Sequence, residues 1–453
     1  MKATSNLVIL LLLLGSFAQP SLASSKQIRA SFLHFLSDPA KSKDVKESYE
    51  YIEDGVITID NGKVSSLVPY SKDVHKGLKL KDYRGKIILP GFIDTHIHFP
   101  QTEMIASYGE QLLEWLETYT FPTEKKFADE KYAGKIADFF LNELVKNGTT
   151  TALVFGTVHP QSVDALFTKA EAINMRIIAG KVMMDRNAPD YLQDTPKSSY
   201  EDSKKLIKKW HNKGRALYAV TPRFAPTSSP EQLRSAEALL NEFPSTYLHT
   251  HLSENKNEIA WVKSLFPERS GYLDVYDHYG LTGSKSIFAH SVHLSDDEWM
   301  KMAETDSTIS FCPSSNLFLG SGLFKLHKAE AHGVRVGLGT DVGAGTSFSQ
   351  FTSLNEAYKI MQLQGKKLSP FKGFYLSTLG GAESLSLEKM IGNFETGKEA
   401  DFVVLDWAAT DLQKLRMSQS TNLEEKLFGL MILGDDRNVQ ATYLAGKKVY
   451  QKK

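Results

Sequence analysis

Histidines and carboxylates recur in this sequence at spacings that suit a buried polar site. His96 and His98 end the run Pro90-Gly91-Phe92-Ile93-Asp94-Thr95-His96-Ile97-His98. In an extended strand, side chains two residues apart share a face, so both imidazoles point the same way. Such a pair alone is weak evidence, because core histidines also occur at this spacing. The signal sharpens when other stretches are added. His249-Thr250-His251-Leu252-Ser253-Glu254 supplies two more imidazoles and a carboxylate. Ala289-His290 and Gly339-Thr340-Asp341 close two further apolar runs. Buried imidazoles and carboxylates need partners, and a divalent cation is one. With a single cysteine, Cys312, the chain has no Cys-rich metal centre and no internal disulfide, so any metal is held by His and carboxylates. Cys312 precedes Pro313 with no obvious base nearby, and reads as a small buried side chain rather than a nucleophile.

These residues end apolar segments separated by helix-like stretches. The eight segments are Ile87–His98, Thr149–His159, Arg176–Asp185, Tyr218–Phe224, Tyr247–Glu254, Ser286–His293, Thr308–Asn316 and Arg335–Asp341. Between them, Lys131–Lys146 and Glu231–Glu242 have helical spacing. Near-continuous apolar strands alternating with helices predict a parallel sheet buried on both faces, and eight of them predict a (β/α)8 barrel. Barrel chemistry sits at the C-terminal strand ends, where the four polar clusters fall. The flanks differ. Residues 24–86 read as short strands and turns, with Asp60-Asn61-Gly62 as a hairpin, and residues 391–453 resume that style. The expected class is therefore α/β. Residues 87–390 form the barrel, and a small β-sandwich is built from 24–86 and 391–453. The insertion at 99–148 carries Leu112, Leu113, Trp115, Leu116 and Phe121, which suit packing on the barrel or a lid over its rim.

Composition excludes some roles. Lys plus Arg and Asp plus Glu both total 53 of 453 residues, so no net charge favours nucleic acid or an anionic membrane. At the start, Lys2, the apolar run Leu7–Leu14 and Ser21-Leu22-Ala23 form a charged, apolar and small-residue series. That is the pattern of a secretory signal peptide over residues 1–23, cut near Ala23. The expectation is a secreted or periplasmic protein, with no stable membrane association after removal. Cyclic dimers are the commonest oligomers, which makes a homodimer the expected assembly.

The whole pattern resembles the amidohydrolase superfamily and, within it, the guanine deaminases. The carrying segments are PGFIDTHIHFPQ (Pro90–Gln101), LLEWLETYTFPTE (Leu112–Glu124), NGTTTA (Asn147–Ala152), GKVMMD (Gly180–Asp185), VTPRF (Val220–Phe224), SEN (Ser253–Asn255), CPSSNLFLGSG (Cys312–Gly322), GLGTDVGAG (Gly337–Gly345) and LGDDRN (Leu433–Asn438). The resemblance implies that His96, His98, His251 and Asp341 hold one zinc ion per chain, a set that iron(II) also tolerates. A second metal would need a bridging lysine where this chain has Arg223, so the implied site is mononuclear and Lys181 is structural. Glu254 is the implied proton shuttle. His290 and Asp341 assist catalysis, and Gln101, Arg223, Phe224, His251 and Glu254 contact the substrate, guanine, which is converted to xanthine and ammonia. Arg223 presents only donors and suits a ring carbonyl, or it pairs with a neighbouring carboxylate and holds the strand end. His249 lines the pocket or packs behind it, and His159 packs at the rim. His34, His75, His211, His278, His293, His327 and His332 are expected on the surface or in loops. The alternatives are a related deaminase or chlorohydrolase acting on another purine or a triazine, and a non-catalytic metal-binding barrel.

Overall fold

A computed structural model describes residues 25–109 and 111–453; the expected signal peptide lies outside them. Eight parallel strands form the path of the central sheet: Phe92–His98, Thr149–Phe155, Arg176–Gly180, Ala216–Pro222, Tyr247–Leu252, Ser286–His290, Thr308–Phe311 and Arg335–Leu338; a ninth, Val182–Met183, pairs beside Ala216–Pro222. Along the path, each pairs in parallel with the next. The ring closes just past the last strand. There His98 N donates to Val342 O at 2.8 Å and Asp341 N donates to His96 O at 2.9 Å. Ile93, Leu153, Ile178, Ala219, Tyr247 and Ile287 fill the interior, and Ala382, Leu385 and Leu387 plug its base. The outer strand faces pack on helices, several of which begin at side-chain caps. Asp129 accepts from Lys131 N and Tyr132 N to start Glu130–Lys146, and Ser229 accepts from Gln232 N to start Pro230–Glu242.

Seven more strands form a second sheet from both chain ends, in the order Lys447–Gln451, Val439–Leu444, Phe402–Asp406, Leu80–Pro90, Lys26–Phe35, Tyr49–Asp60 and Lys63–Pro69. Its hairpin turn, Asn61-Gly62, has φ of 51° and 79°, the double left-handed geometry of a tight two-residue turn. Strand alternation divides two cores. Phe402 and Val404 face a core with Ile28, Phe32, Ile57 and Tyr443, while Val403 and Leu405 join the barrel's outer core. The sheet curls until its hairpin turns meet. Ala400 N donates to Gly62 O and Gly446 N donates to Ala400 O, both at 2.8 Å.

Two expectations are corrected. The first apolar segment, Ile87–His98, is two strands. Ile87–Pro90 pairs with Phe402–Asp406 in the second sheet, and Gly91 marks the passage into the barrel, where a Cβ would collide with the Thr150 side chain. The tail is also not all β. Asp411–Ser418 and Leu423–Leu433 are helices, and Leu427, Leu430 and Met431 join the outer core beside Phe351 and Phe374. Among the described residues, no helix is long and apolar enough to cross a membrane.

Candidate active site

A bulge in the first barrel strand aims the histidine pair. The register slips by one residue between Asp94 and Ile97, so Ile93 faces the interior while Ile97 faces the outer core. His96 and His98 then turn inward together. His98 Nε2 lies 3.2 Å from His96 Nε2 and 3.3 Å from His251 Nε2. Asp341 Oδ1 stands 3.2 Å from His96 Nε2 and 3.3 Å from His98 Nε2. All four residues are buried. His290 and Asp341 sit at φ of 67° and 52°, a left-handed backbone where the strands break off. Non-glycine residues held there concentrate at functional sites.

The donor atoms fit a divalent cation. The Arg223 carbonyl can only accept, so His251 Nδ1 donates to it at 2.7 Å and leaves the Nε2 lone pair free. Burial drives the imidazole pKa values down, to about 3 for His98 and well below the ordinary range for His251. The neutral imidazoles of His96, His98 and His251 thus gather within reach of one ion, the Asp341 carboxylate stands beside the first two, and a cation would satisfy them together. Cys312 also lies near His96, His290 and Asp341. Burial pushes its thiol pKa up, so it is protonated at neutral pH. It donates to Ser310 O at 3.5 Å.

Glu254 is buried beside this set. Its Oε2 is 3.5 Å from His290 Nε2, and its Oε1 accepts from Ser321 Oγ at 3.1 Å. Burial, with the Asp341 charge adding, pushes its pKa up to about 8. His290 Nδ1 lies 2.9 Å from Asn316 Oδ1, and its Nε2 is 3.7 Å from Asp341 Oδ2. Glu258 was not anticipated. Its Oε2 accepts from the backbone N of Glu254 at 2.9 Å and of Asn255 at 3.1 Å, and its Oε1 accepts from Tyr272 Oη at 2.8 Å. The readable signal was Asn255-x-x-Glu258, a capping box at the start of Lys256–Leu265.

Arg223 does meet a carboxylate, that of Glu124. Arg223 Nη1 donates to both Glu124 oxygens at 3.0 Å, and both side chains are buried. Gln101 Nε2 donates to Glu124 Oε1 at 3.4 Å, while Gly343 N donates to Gln101 Oε1 at 3.3 Å. Glu124 lies in a segment quoted for the resemblance, but nothing in the sequence shows its partner. The segment runs as helix Leu112–Trp115, a π-turn Leu116–Thr120 and helix Phe121–Glu124. Leu112, Trp115 and Leu116 roof a cavity. Its other walls are His98, Gln101, Arg223, Phe224, His251, Glu254, Glu258, His290, Leu319, Asp341 and Ala344. Leu113 and Phe121 line a neighbouring groove with Trp261 instead.

The remaining histidines are placed differently from one another. His249 is behind the cavity, its Nε2 2.7 Å from His96 Nδ1. His159 precedes the helix Pro160–Ile173, makes no side-chain cap hydrogen bond and does not line the cavity. His34 and His75, expected on the surface or in loops, are buried; His34 Nε2 pairs with Glu50 at 2.8 Å and His75 Nδ1 meets Ser71 O at 2.9 Å. Lys181 is buried against Asp194 and donates to Val182 O at 3.1 Å.

A family model described as the amidohydrolase family matches residues 87–449. The chain belongs to the amidohydrolase family. It is 57% identical over 430 residues to the guanine deaminase of Escherichia coli strain K12, which covers 94% of this chain and 98% of that protein. The solved structure of E. coli guanine deaminase superposes with a TM-score of 0.92, over 94% of this chain and 100% of that one. Guanine deaminase from C. acetobutylicum, solved with guanine bound in its active site, superposes with a TM-score of 0.85. It is 32% identical, over 94% of this chain and 100% of that one. An adenosine deaminase from Xanthomonas campestris, solved with bound zinc, shares the fold alone. Its TM-score is 0.80 at 20% identity, over 93% of this chain and 92% of that one.

Proposed function

We propose that this amidohydrolase is a guanine deaminase, converting guanine and water to xanthine and ammonia. The observation that carries the reading is the meeting, in one small cavity, of Glu254 beside the His96, His98, His251 and Asp341 set with Arg223 and Gln101 facing it. His96, His98, His251 and Asp341 would hold one zinc ion, the first choice for three imidazoles and a carboxylate, with iron(II) the second. Bound there, the metal supplies a water acidified to a pKa of about 7.

The side chains supply the proton traffic. Glu254 takes one proton from the attacking water and delivers it to the ring nitrogen, where it stays; the second water proton passes through Asp341 to the departing amine. The C–O bond forms at the ring carbon first, the C–N bond then breaks, and nitrogen leaves as ammonia. A carboxyl group raised by burial holds and releases protons near neutral pH, as this exchange requires. His290, between Glu254 and Asp341, orients the reacting oxygen. Arg223 donates to the ring carbonyl of guanine. Adenine has an amino donor at that position, so donor would face donor, and a site built around such a hydrogen bond rejects the analogue by about 10⁴ or more. Phe224 flanks the ring, and Leu112, Trp115 and Leu116 keep bulk water out.

The test is ammonia release by purified protein reconstituted with zinc or iron(II). Guanine, adenine, cytosine and a triazine are offered in parallel. Guanine alone is turned over at high rate on this reading; comparable turnover of adenine or of the triazine sinks it. The charged, apolar and small-residue start of the sequence supports export as a further part of the proposal. Fractionation that recovers the protein only in the cytosol, with an intact N-terminus by mass spectrometry, would reject that part.

A further inference from the structure

Glu124 is a buried acid with no place in the proton chemistry, held between the two polar residues that face the ring. We infer that Glu124 is a positioning residue that cancels the charge of Arg223, so that the cavity receives a neutral ring and does not retain an anionic one. The inference rests on the proposed deamination, because that reaction makes the distinction matter. The product carries a second ring carbonyl in place of the amine and is the more acidic of the two rings. An unpaired buried guanidinium would favour its anion and hold it after each turnover.

The geometry supports this role. Both Glu124 oxygens accept from a single nitrogen of Arg223, Nη1, at 3.0 Å. Among the described residues Arg223 Nη2 and Nε have no protein acceptor, and Arg223 lines the cavity. Glu124 is fully buried and is absent from the cavity wall, so it acts on a ligand only through its neighbours. It also sets the polarity of the Gln101 amide. Nε2 is turned to Glu124 and Oε1 to Gly343 N, leaving one donor and one acceptor site for the ring. Glu124 ends the segment whose earlier residues Leu112, Trp115 and Leu116 roof the cavity. One carboxylate thus ties the roof to the recognition pair. At a low effective dielectric, removing one charge several ångströms from a bound anion changes its affinity by at least about tenfold.

Dissociation constants measured by calorimetry on the metal-loaded protein test the inference independently of turnover. The probes are urate, an anionic purine, and hypoxanthine, a neutral one with the same ring carbonyl. In Glu124→Gln, urate is expected to bind about tenfold tighter or more, with hypoxanthine changed by less than about threefold. Glu124→Asp keeps the charge and should restore the wild-type ratio of the two. Parallel weakening of both ligands in Glu124→Gln would mean that Glu124 only packs the cavity, and would overturn the inference. So would an unchanged urate affinity. If Glu124→Gln does not fold, the wild type decides: hypoxanthine should bind more tightly than urate, and the reverse order overturns the charge account. A wild type that releases no ammonia from guanine refutes the proposed reaction instead, a result these binding measurements do not mimic.

Discussion

Glu254 and His249 make opposite predictions although both touch the same cluster. Glu254 reaches His290 at 3.5 Å and Ser321 at 3.1 Å but none of the implied metal-holding nitrogens. Glu254→Gln should therefore keep its metal, as measured by elemental analysis, while turnover falls by about 10²–10⁴, the usual share of acid–base catalysis. His249 stands behind His96. For His96 to offer its Nε2 lone pair to a cation, its proton must sit on Nδ1 and be donated to His249 Nε2, 2.7 Å away. Such supporting contacts are worth about 10–100-fold in metal affinity. His249→Phe should lose metal to a chelator that many-fold faster or at that much lower concentration. His249→Gln, which keeps an acceptor, should recover part of the loss. Equal retention in His249→Phe and wild type would reduce His249 to packing. The pairs His96/His98 and His249/His251 were readable from spacing alone. Their different duties were not, since strand alternation says which side chains share a face but not which one lies behind another.

At the scale of elements, the junction after the fifth barrel strand does the positioning. Tyr247–Leu252 ends, Ser253 turns through φ 48°, and Lys256–Leu265 begins. Glu258 holds that turn by accepting from the backbone N–H groups of Glu254 and Asn255. Glu258→Ala leaves both donors buried and unpaired, at about 1–3 kcal/mol of stability. The expected result is a lower unfolding midpoint in urea and a lower kcat at normal metal content, because the Glu254 backbone is no longer fixed. Normal kcat in a destabilised variant would separate the cap from catalysis. The first barrel strand shows the limit of reading elements from sequence. The run Ile87–His98 looks like one strand, yet Gly91 splits it between two sheets and a bulge re-phases its second half. Neither event changes the apolar pattern, and each depends on what the strand packs against. The helices Asp411–Ser418 and Leu423–Leu433 escaped for the same reason, since their buried face is defined by the barrel helices beneath it.

The two sheets are joined under the barrel by charge as well as by apolar packing. Arg215, just before the fourth barrel strand, meets Glu399 at 2.5 Å and also Asp401, and Arg176, at the start of the third, meets Glu399 at 2.5 Å. Burial opposes ionisation of Glu399, but the two guanidiniums outweigh it and hold its pKa below the ordinary value of 4.5. Folded Glu399 is then the stronger acid, so folding releases its proton. Its stabilisation is complete above about pH 4.5 and fades as pH falls through the lower folded value. Glu399→Gln should destabilise the protein at pH 7 and flatten the acid limb of a stability–pH curve measured by urea unfolding. A variant whose stability falls as steeply with acid as the wild type would assign that limb to other carboxylates.

Legible in the sequence were the eightfold alternation of apolar strands and helices, the second sheet drawn from both chain ends, and the four clusters of histidine and carboxylate at the strand ends. Those are local properties, carried by period, by turn residues such as Asn61-Gly62, and by motifs that span a few residues. The fold alone reveals that Glu124 pairs with Arg223, that His249 backs His96, and that His34 and His75 are buried. Arg223 and Glu124 are 99 residues apart, and His96 and His249 are 153 apart. A single chain's residue pattern does not encode which distant side chains meet. Closing the barrel brings them together, and burial then makes each contact matter, because an unpaired charge or imidazole nitrogen has no water to turn to.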